Sequence, residues 1–303
     1  LAPDDVQIVW VDSTQPIDKQ AEQLQDAVAI IVNPSVFPVE LAQKCPNLRL
    51  VQVTSAGTNT IDKTALGELG IKVANNGGGN SVSVSEHTVT LMVATMRKLQ
   101  LQFNAVKNRE WAGSVRQWYG DAYEIAGKTV GIIGFGRIGS RVARRLQGWE
   151  CNIIYNDIVP APKEVEEELN VRRVDREELL RTADIITLHV PLDRSTEKLI
   201  SDREFGMMKP TAVLINACRG PVVDEAALIR ALQDKKIIAA GLDVLEEEPT
   251  PKDNPLLDMD NVLVTPHLAS FAQEAGEKSR EFAIYNTAHV ARGKEPESVV
   301  LPV

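Results

Sequence analysis

Short apolar runs alternate with amphipathic stretches along the first hundred residues of the chain. Residues 6–11, 27–32, 48–53 and 71–73 read as strands, and the mixed segments 18–25, 38–44 and 62–69 between them read as helices. Crossovers of that length are too long for hairpins, so the pattern predicts βαβ units and a parallel sheet covered on both faces. From Ser81 the period changes. Val84, His87, Thr88, Leu91, Met92 and Thr95 share one helical face, which predicts a single long helix through about Asn108.

A second alternating series follows a loop rich in Trp and Gly. Its strands are predicted at 129–133, 152–155, 185–190, 212–216, 238–242 and 262–265, with helices between them such as 138–147 and 225–234. A last amphipathic helix is predicted over 273–291, and the apolar 299–301 behind it is placed to return as a fifth strand of the first series. The expected fold class is α/β, with two doubly wound parallel-sheet domains. One is discontinuous, 1–98 plus 273–303, and the other fills 99–272.

The strand at 129–133 runs straight into Gly134-Phe135-Gly136-Arg137-Ile138-Gly139 and then into a helix. That is the Gly-x-Gly-x-x-Gly dinucleotide fingerprint in its required context. Gly134 permits the tight turn, Gly136 lets the backbone approach a pyrophosphate, and Gly139 allows close packing of helix on strand. The free N–H groups at the helix start then face the phosphates. Asp157 follows the next strand, 18 residues past Gly139, where a carboxylate accepts hydrogen bonds from the adenosine ribose. It would repel a 2′-phosphate, and no Arg follows directly, so the expected cofactor is NAD and not NADP.

Four further residues fall just beyond the carboxyl ends of predicted strands, where open α/β sheets bind ligands. Arg219 follows strand 212–216, Asp243 and Glu248 follow 238–242, and His267 follows 262–265. An Arg flanked by small residues, as in Ala217-Cys218-Arg219-Gly220, can grip a carboxylate through two parallel hydrogen bonds. A His serves as proton donor or acceptor, and an acid paired with it favours the protonated ring. Singly, each has a plain reading: a surface Arg in a turn, a hydrogen-bonded His, one solvated acid in the run Glu246-Glu247-Glu248. Together they suit hydride transfer to a 2-keto acid, with Arg219 on the carboxylate and His267 donating the proton, or accepting it in the oxidative direction.

At these residues the chain resembles the D-specific 2-hydroxyacid dehydrogenase family, and the resemblance covers nearly its whole length. It rests on Lys128 to Gly139, His189-Val190-Pro191-Leu192 with Thr196, Asn216 to Asp224, Gly241 to Pro249, and Thr265-Pro266-His267. The spacings of 29 and 19 residues from Arg219 to Glu248 to His267 are similar to the family's own. The resemblance implies a Rossmann NAD-binding domain over 99–272 and a flavodoxin-like substrate domain from the remainder. It implies catalytic roles for Arg219, Glu248 and His267, and substrate-carboxylate binding by Arg219 and by the N–H groups of Ala56 and Gly57. NAD would be bound by Gly134, Gly136, Arg137, Ile138, Gly139 and Asp157 at the adenosine and phosphate end. His189, Pro191, Thr196, Ala217, Cys218, Asp243 and His267 would line the rest of that site. The implied substrate is a small 2-keto or D-2-hydroxy acid, and the implied assembly is a homodimer.

Two other readings stay open. A phosphite dehydrogenase is similar even in the stretch Arg219-Gly220-Pro221-Val222-Val223-Asp224-Glu225, but carries Lys where this chain has Ala56. A corepressor that senses NAD and keeps the catalytic residues is the alternative from another class. The chain also departs from its relatives, with Asn76-Gly77-Gly78-Gly79 where they carry Thr-Pro-Gly before Asn80, so a more flexible loop is expected. Trp118 and Tyr119 fall where some relatives place an aromatic that reaches a partner subunit, and packing at a dimer contact fits equally. His87 and His289 are read as structural, as is His189 apart from its place near the cofactor.

Composition adds exclusions. The 303 residues, 44% apolar and 25% charged, suit an ordinary soluble globular protein. The net charge of −9 is spread as −3, −5 and −1 over residues 1–98, 99–272 and 273–303, and no basic run interrupts it, so nucleic acid is not an expected partner. Cys45, Cys151 and Cys218 are odd in number and widely spaced, which predicts neither disulfides nor a metal site and points to a reducing, cytoplasmic location. No apolar run approaches the ~18 residues needed to span a bilayer, and the start lacks the features of a signal peptide, so no membrane is expected.

Overall fold

The computed structural model describes residues 3–33, 37–111 and 120–301. It divides into two compact units, Leu1–Asn80 with Phe271–Val303, and Ser81–Ser270. Trp118 and Tyr119 lie outside the described residues.

In the first unit α1 (Ile17–Gln23), β1 (Ala29–Val32), α2 (Val39–Gln43), β2 (Leu50–Val53), α3 (Lys63–Glu68) and β3 (Lys72–Ala74) alternate as their patterns predict. The strands are parallel in the order β1-β2-β3, with Ile30 opposite Val51 and Val51 opposite Val73. All four residues of the central β2 are buried, including Gln52. Its amide is satisfied inside: Nε2 donates to Asn75 O at 2.7 Å, and Oε1 accepts Nδ2 of Asn286 at 2.7 Å.

Two expectations for this unit fail. Residues 6–11 have strand composition but form no ladder, and Ile8, Val9 and Trp10 are 48%, 51% and 92% exposed. Apolar and β-branched residues make a strand only where a neighbouring strand and a covered face exist. Residues 299–301 do return beside β3, but as a single antiparallel bridge of Val299 to Ala74, with Val300 N–H donating to Val73 O at 2.8 Å. Ser298 (φ 54) turns the chain just before this contact.

The second unit begins with α4 (Ser81–Met96) and α5 (Leu99–Lys107), where one long helix was expected. Lys98 takes φ 52 between them, and the face buried by α4 through Thr95 and Met96 is not continued in α5, of which only Ala105 is buried. There follow β4 (Thr129–Ile133), α6 (Gly139–Arg145), β5 (Asn152–Asn156), α7 (Lys163–Glu168), β6 (Val171–Arg173), α8 (Arg176–Thr182), β7 (Ile185–Leu188), α9 (Asp202–Phe205), β8 (Val213–Asn216), α10 (Glu225–Gln233), β9 (Ala239–Leu242) and β10 (Val262–Val264). The last helix, α11 (Gln273–Ala291), packs on β1 and β2 of the first unit.

All seven strands of the larger sheet are parallel, in the order β10-β9-β8-β7-β4-β5-β6. The order reverses between β4 and β7, the switch point at which such sheets bind nucleotides. β6 went unpredicted because it is three residues long with only Val171 buried, too short and polar to leave a pattern. Helix α4 belongs to this unit. Gly241 of β9 lacks a Cβ where one would meet Thr95 and Leu91 of α4, so helix and sheet approach closely. Contacts therefore divide the chain at Asn80, ahead of α4, and not at the helix end near 98.

Candidate active site

The glycine turn has the shape its sequence implies. Gly134 takes φ 91, and a Cβ there would lie 2.6 Å from His189 O, so the crossing from β4 past the end of β7 requires glycine. A Cβ at Gly139 would overlap the carbonyl of Gly134. At Gly136, in contrast, an added Cβ meets no protein atom within 4 Å. Two glycines thus serve the turn itself, and the middle one serves the space above it, where a pyrophosphate would lie. Asp157 stands at the end of β5 with Oδ2 accepting the Phe135 N–H of the turn at 2.6 Å. These observations fit a bound dinucleotide.

On the other side of the switch point, Thr196 Oγ1 donates to Pro191 O at 2.7 Å and accepts the Asp193 N–H at 2.8 Å, which shapes the loop after β7. His189 keeps Nε2 within 3.0 Å of Thr187 Oγ1, while its Nδ1 is buried with no partner among the described residues. Burial holds this imidazole neutral, its pKa pulled down to about 3.

Beyond β8 the side chain of Asn216 organises the next turn. Its Oδ1 accepts the Cys218 N–H at 3.0 Å, and its Nδ2 donates to Arg219 O at 3.0 Å. Ala217 and Cys218 are buried behind it, and burial pushes the Cys218 thiol up to about 11, so this cysteine is inert packing. Arg219 Nη1 donates to Cys218 O at 2.5 Å. A Cβ at Gly220 would overlap Leu245 O, so the Arg219 turn lies directly on the segment that carries Glu248.

Of the three consecutive acids, Glu248 faces the histidine. Its Oε1 accepts the Leu245 N–H at 3.1 Å, and its Oε2 meets His267 Nδ1 at 2.5 Å. Glu246 instead pairs with Glu225, each carboxylate accepting the other residue's main-chain N–H. His267 takes φ 54, a conformation few non-glycine residues adopt, and its N–H donates to Asp243 O at 2.8 Å. Asp243 is fully buried and holds the same segment with its carboxylate, accepting Leu268 N–H at 3.0 Å, Ala269 N–H at 2.8 Å and Thr265 Oγ1–H at 2.6 Å. Burial works to raise its pKa, but donors from His87, Thr265, Ala269 and Leu268 outweigh it and hold the carboxylate below its ordinary range.

His87 lies close by, with Nε2 3.0 Å from Thr265 Oγ1 and 3.4 Å from Asp243 Oδ1. His87, Thr265 and Asn216 are the residues that sequence reasoning left out of the site. The available signal was a His on the face of α4 that also carries the buried Val84, Leu91 and Met92.

The loop after β2 belongs to the first unit. Ser55 Oγ donates to Gly57 O at 2.6 Å, and Asn76 N–H donates to Ser55 O at 3.1 Å, so the loops after β2 and β3 lie side by side. The N–H groups of Ala56 and Gly57 donate to no protein group among the described residues. Gly77 (φ 62) and Gly79 are close-packed on α11: a Cβ at Gly77 would lie 2.7 Å from the Phe282 ring, and one at Gly79 would lie 2.9 Å from Ser279 Oγ. The glycine run that departs from the relatives thus has a packing reason.

A doubly wound parallel sheet with this glycine turn at its switch point defines a dinucleotide-binding α/β protein. The NAD binding domain of the D-isomer specific 2-hydroxyacid dehydrogenases matches residues 89–269. A glyoxylate reductase of Thermococcus litoralis is 37% identical over 300 residues, covering 96% of this chain and 89% of that protein. A D-3-phosphoglycerate dehydrogenase of Archaeoglobus fulgidus is 41% identical over 236 residues, 78% of this chain but 44% of that protein. The chain spans about half the length of the phosphoglycerate dehydrogenases it matches. Among solved structures, a glyoxylate reductase from Paecilomyes thermophila superposes with a TM-score of 0.85 at 28% identity, covering 93% of this chain and 88% of that one. The chain belongs to the D-isomer specific 2-hydroxyacid dehydrogenase family, and its cofactor is NAD.

Proposed function

We propose that the protein is an NAD-dependent oxidoreductase that interconverts a small 2-keto acid and its D-2-hydroxy acid, with His267 as acid and base. The observation that carries this reading is the 2.5 Å pair between His267 Nδ1 and Glu248 Oε2. With Nδ1 engaged, Nε2 has no protein partner among the described residues and is the nitrogen that exchanges a proton with substrate oxygen. Glu248 orients the ring through its contact with Nδ1. Arg219, with its fork of donors, takes the substrate carboxylate and polarises the carbonyl. When bound, the nicotinamide supplies or accepts the hydride. Asp157 and the turn from Gly134 to Gly139, with Arg137 and Ile138, hold the adenosine and phosphate end, while Pro191, Thr196, Ala217, Cys218 and Asp243 border the nicotinamide end.

Relatives named glyoxylate reductase and glyoxylate/hydroxypyruvate reductase support glyoxylate or hydroxypyruvate as substrate. A steady-state panel of glyoxylate, hydroxypyruvate, pyruvate and 3-phosphohydroxypyruvate with NADH, and of phosphite with NAD, tests it. Reduction of a keto acid that His267→Ala abolishes, with NADH binding nearly intact, is the expected result. Turnover of phosphite alone, or unchanged reduction by His267→Ala, refutes the reading. The proposal includes a cytoplasmic homodimer. Its support is three free thiols, Cys45, Cys151 and Cys218, and the exposed apolar Phe103, Val106 and Trp111. Sedimentation should give twice the chain mass of 33.2 kDa.

A further inference from the structure

Asp157 is held from three sides. Oδ2 accepts the Phe135 N–H at 2.6 Å, Oδ1 accepts the Val159 N–H at 2.9 Å, and the main-chain carbonyl accepts Nη2 of Arg173 at 2.8 Å. The same nitrogen lies 3.5 Å from Ile158 O. Arg173 ends β6, and the register that pairs it with Tyr155 of the parallel β5 brings it there. Both residues therefore stand at the carboxyl ends of their strands, on the ligand-binding side of the sheet. The guanidinium is exposed and contacts the carbonyl of Asp157, not its carboxylate. Neighbouring acids are committed elsewhere: Glu166 accepts the Tyr155 hydroxyl at 2.6 Å, and Asp175 caps α8 through the Glu178 N–H at 2.7 Å.

One fixed anion and one fixed cation thus share the place where an adenosine ribose carries either a hydroxyl or a phosphate. The carboxylate accepts hydroxyl hydrogen bonds and repels a phosphate, whereas a planar guanidinium binds phosphate through its fork. We infer that Arg173 is a second specificity-determining residue for the cofactor. It fixes the Asp157–Ile158 main chain so that the carboxylate meets the ribose, and it is the cation that takes a 2′-phosphate once that carboxylate is removed. Asp157 alone keeps the site on the NAD side. This Arg does not directly follow the acid but arrives 16 residues later on the adjacent strand.

Direct binding of NADH and NADPH, followed by calorimetry without substrate, tests this in wild type, Asp157→Ser, Arg173→Gln and the double variant. Wild type should prefer NADH, and Asp157→Ser should gain about tenfold or more in NADPH affinity, the scale of one charge-assisted contact. Adding Arg173→Gln should remove most of that gain while leaving NADH affinity within about threefold of the Asp157→Ser value. Arg173→Gln alone should weaken NADH a few-fold through the loosened Asp157 loop. A double variant that binds NADPH as tightly as Asp157→Ser, or an Asp157→Ser variant with no gain, overturns the inference. Wild type binding neither nucleotide would overturn the cofactor assignment and this inference with it.

Discussion

Glu248 holds His267 by Nδ1 at 2.5 Å while its other oxygen is anchored by the Leu245 N–H at 3.1 Å. The imidazole is thereby aimed from its side chain, and Asp243 O pins it from its main chain. Glu248→Gln keeps the shape but replaces the carboxylate partner of His267 Nδ1 with a neutral amide. Single-turnover reduction should slow by about 100-fold, the lower end of what general acid–base catalysis supplies, with NADH affinity nearly unchanged. A rate within about twofold of wild type would remove Glu248 from the mechanism.

Gly136 and Gly139 should separate cofactor binding from folding. A Cβ at Gly136 meets nothing within 4 Å, so Gly136→Ala should melt within a degree or two of wild type and lose NADH affinity. Gly139→Ala drives a methyl into Gly134 O and should cost about 1–3 kcal/mol of stability. Melting curves with and without NADH distinguish the two. A stable Gly136→Ala variant with undiminished binding would mean that no pyrophosphate crosses that point.

The parallel βα series, the glycine turn and the strand-end placement of Arg219, Glu248 and His267 were legible because each leaves a periodic or spaced trace in the sequence. Other features leave none. The strand at 171–173 is too short and polar, and the break at Lys98 lies in backbone conformation that the apolar period does not encode. Residues 6–11 show the converse, since strand composition cannot supply a neighbouring strand. In the site, which of Glu246, Glu247 and Glu248 meets His267, and that His87 reaches Asp243, depend on contacts between residues 19 and 156 positions apart.

His189 gives a pH dependence whose sign is fixed. Its pKa falls from 6.5 in the unfolded chain to about 3 in the folded one, because burial disfavours the charged ring. The unfolded state therefore binds the proton first as pH drops. The stability tied to the neutral ring is fully present above pH 6.5 and is lost progressively as pH falls toward about 3. His189→Gln, which can still reach Thr187 and does not titrate, should flatten this part of the acid limb. Urea midpoints at neutral pH and near pH 5 check it: the wild-type midpoint should drop further than the variant's.

His87 should matter to the cofactor site although it makes no contact with His267 among the described residues. Its Nε2 is a donor to the Thr265 hydroxyl at 3.0 Å, and that hydroxyl in turn donates to the fully buried Asp243 at 2.6 Å. Asp243 fixes the 267–269 main chain, so loosening it loosens the segment that carries His267. His87→Leu leaves the Thr265 oxygen and the carboxylate short of a donor, and should cost about 1–3 kcal/mol in urea unfolding. The carboxylate's folded pKa should rise toward its unfolded value, so the variant loses the stability that wild-type Asp243 provides above the carboxylate range and gives up only as pH falls. His87→Gln, with an amide N–H near the Nε2 position, should recover most of the loss. If Leu and Gln at position 87 behave alike in both unfolding and turnover, the donor is irrelevant and His87 serves packing alone.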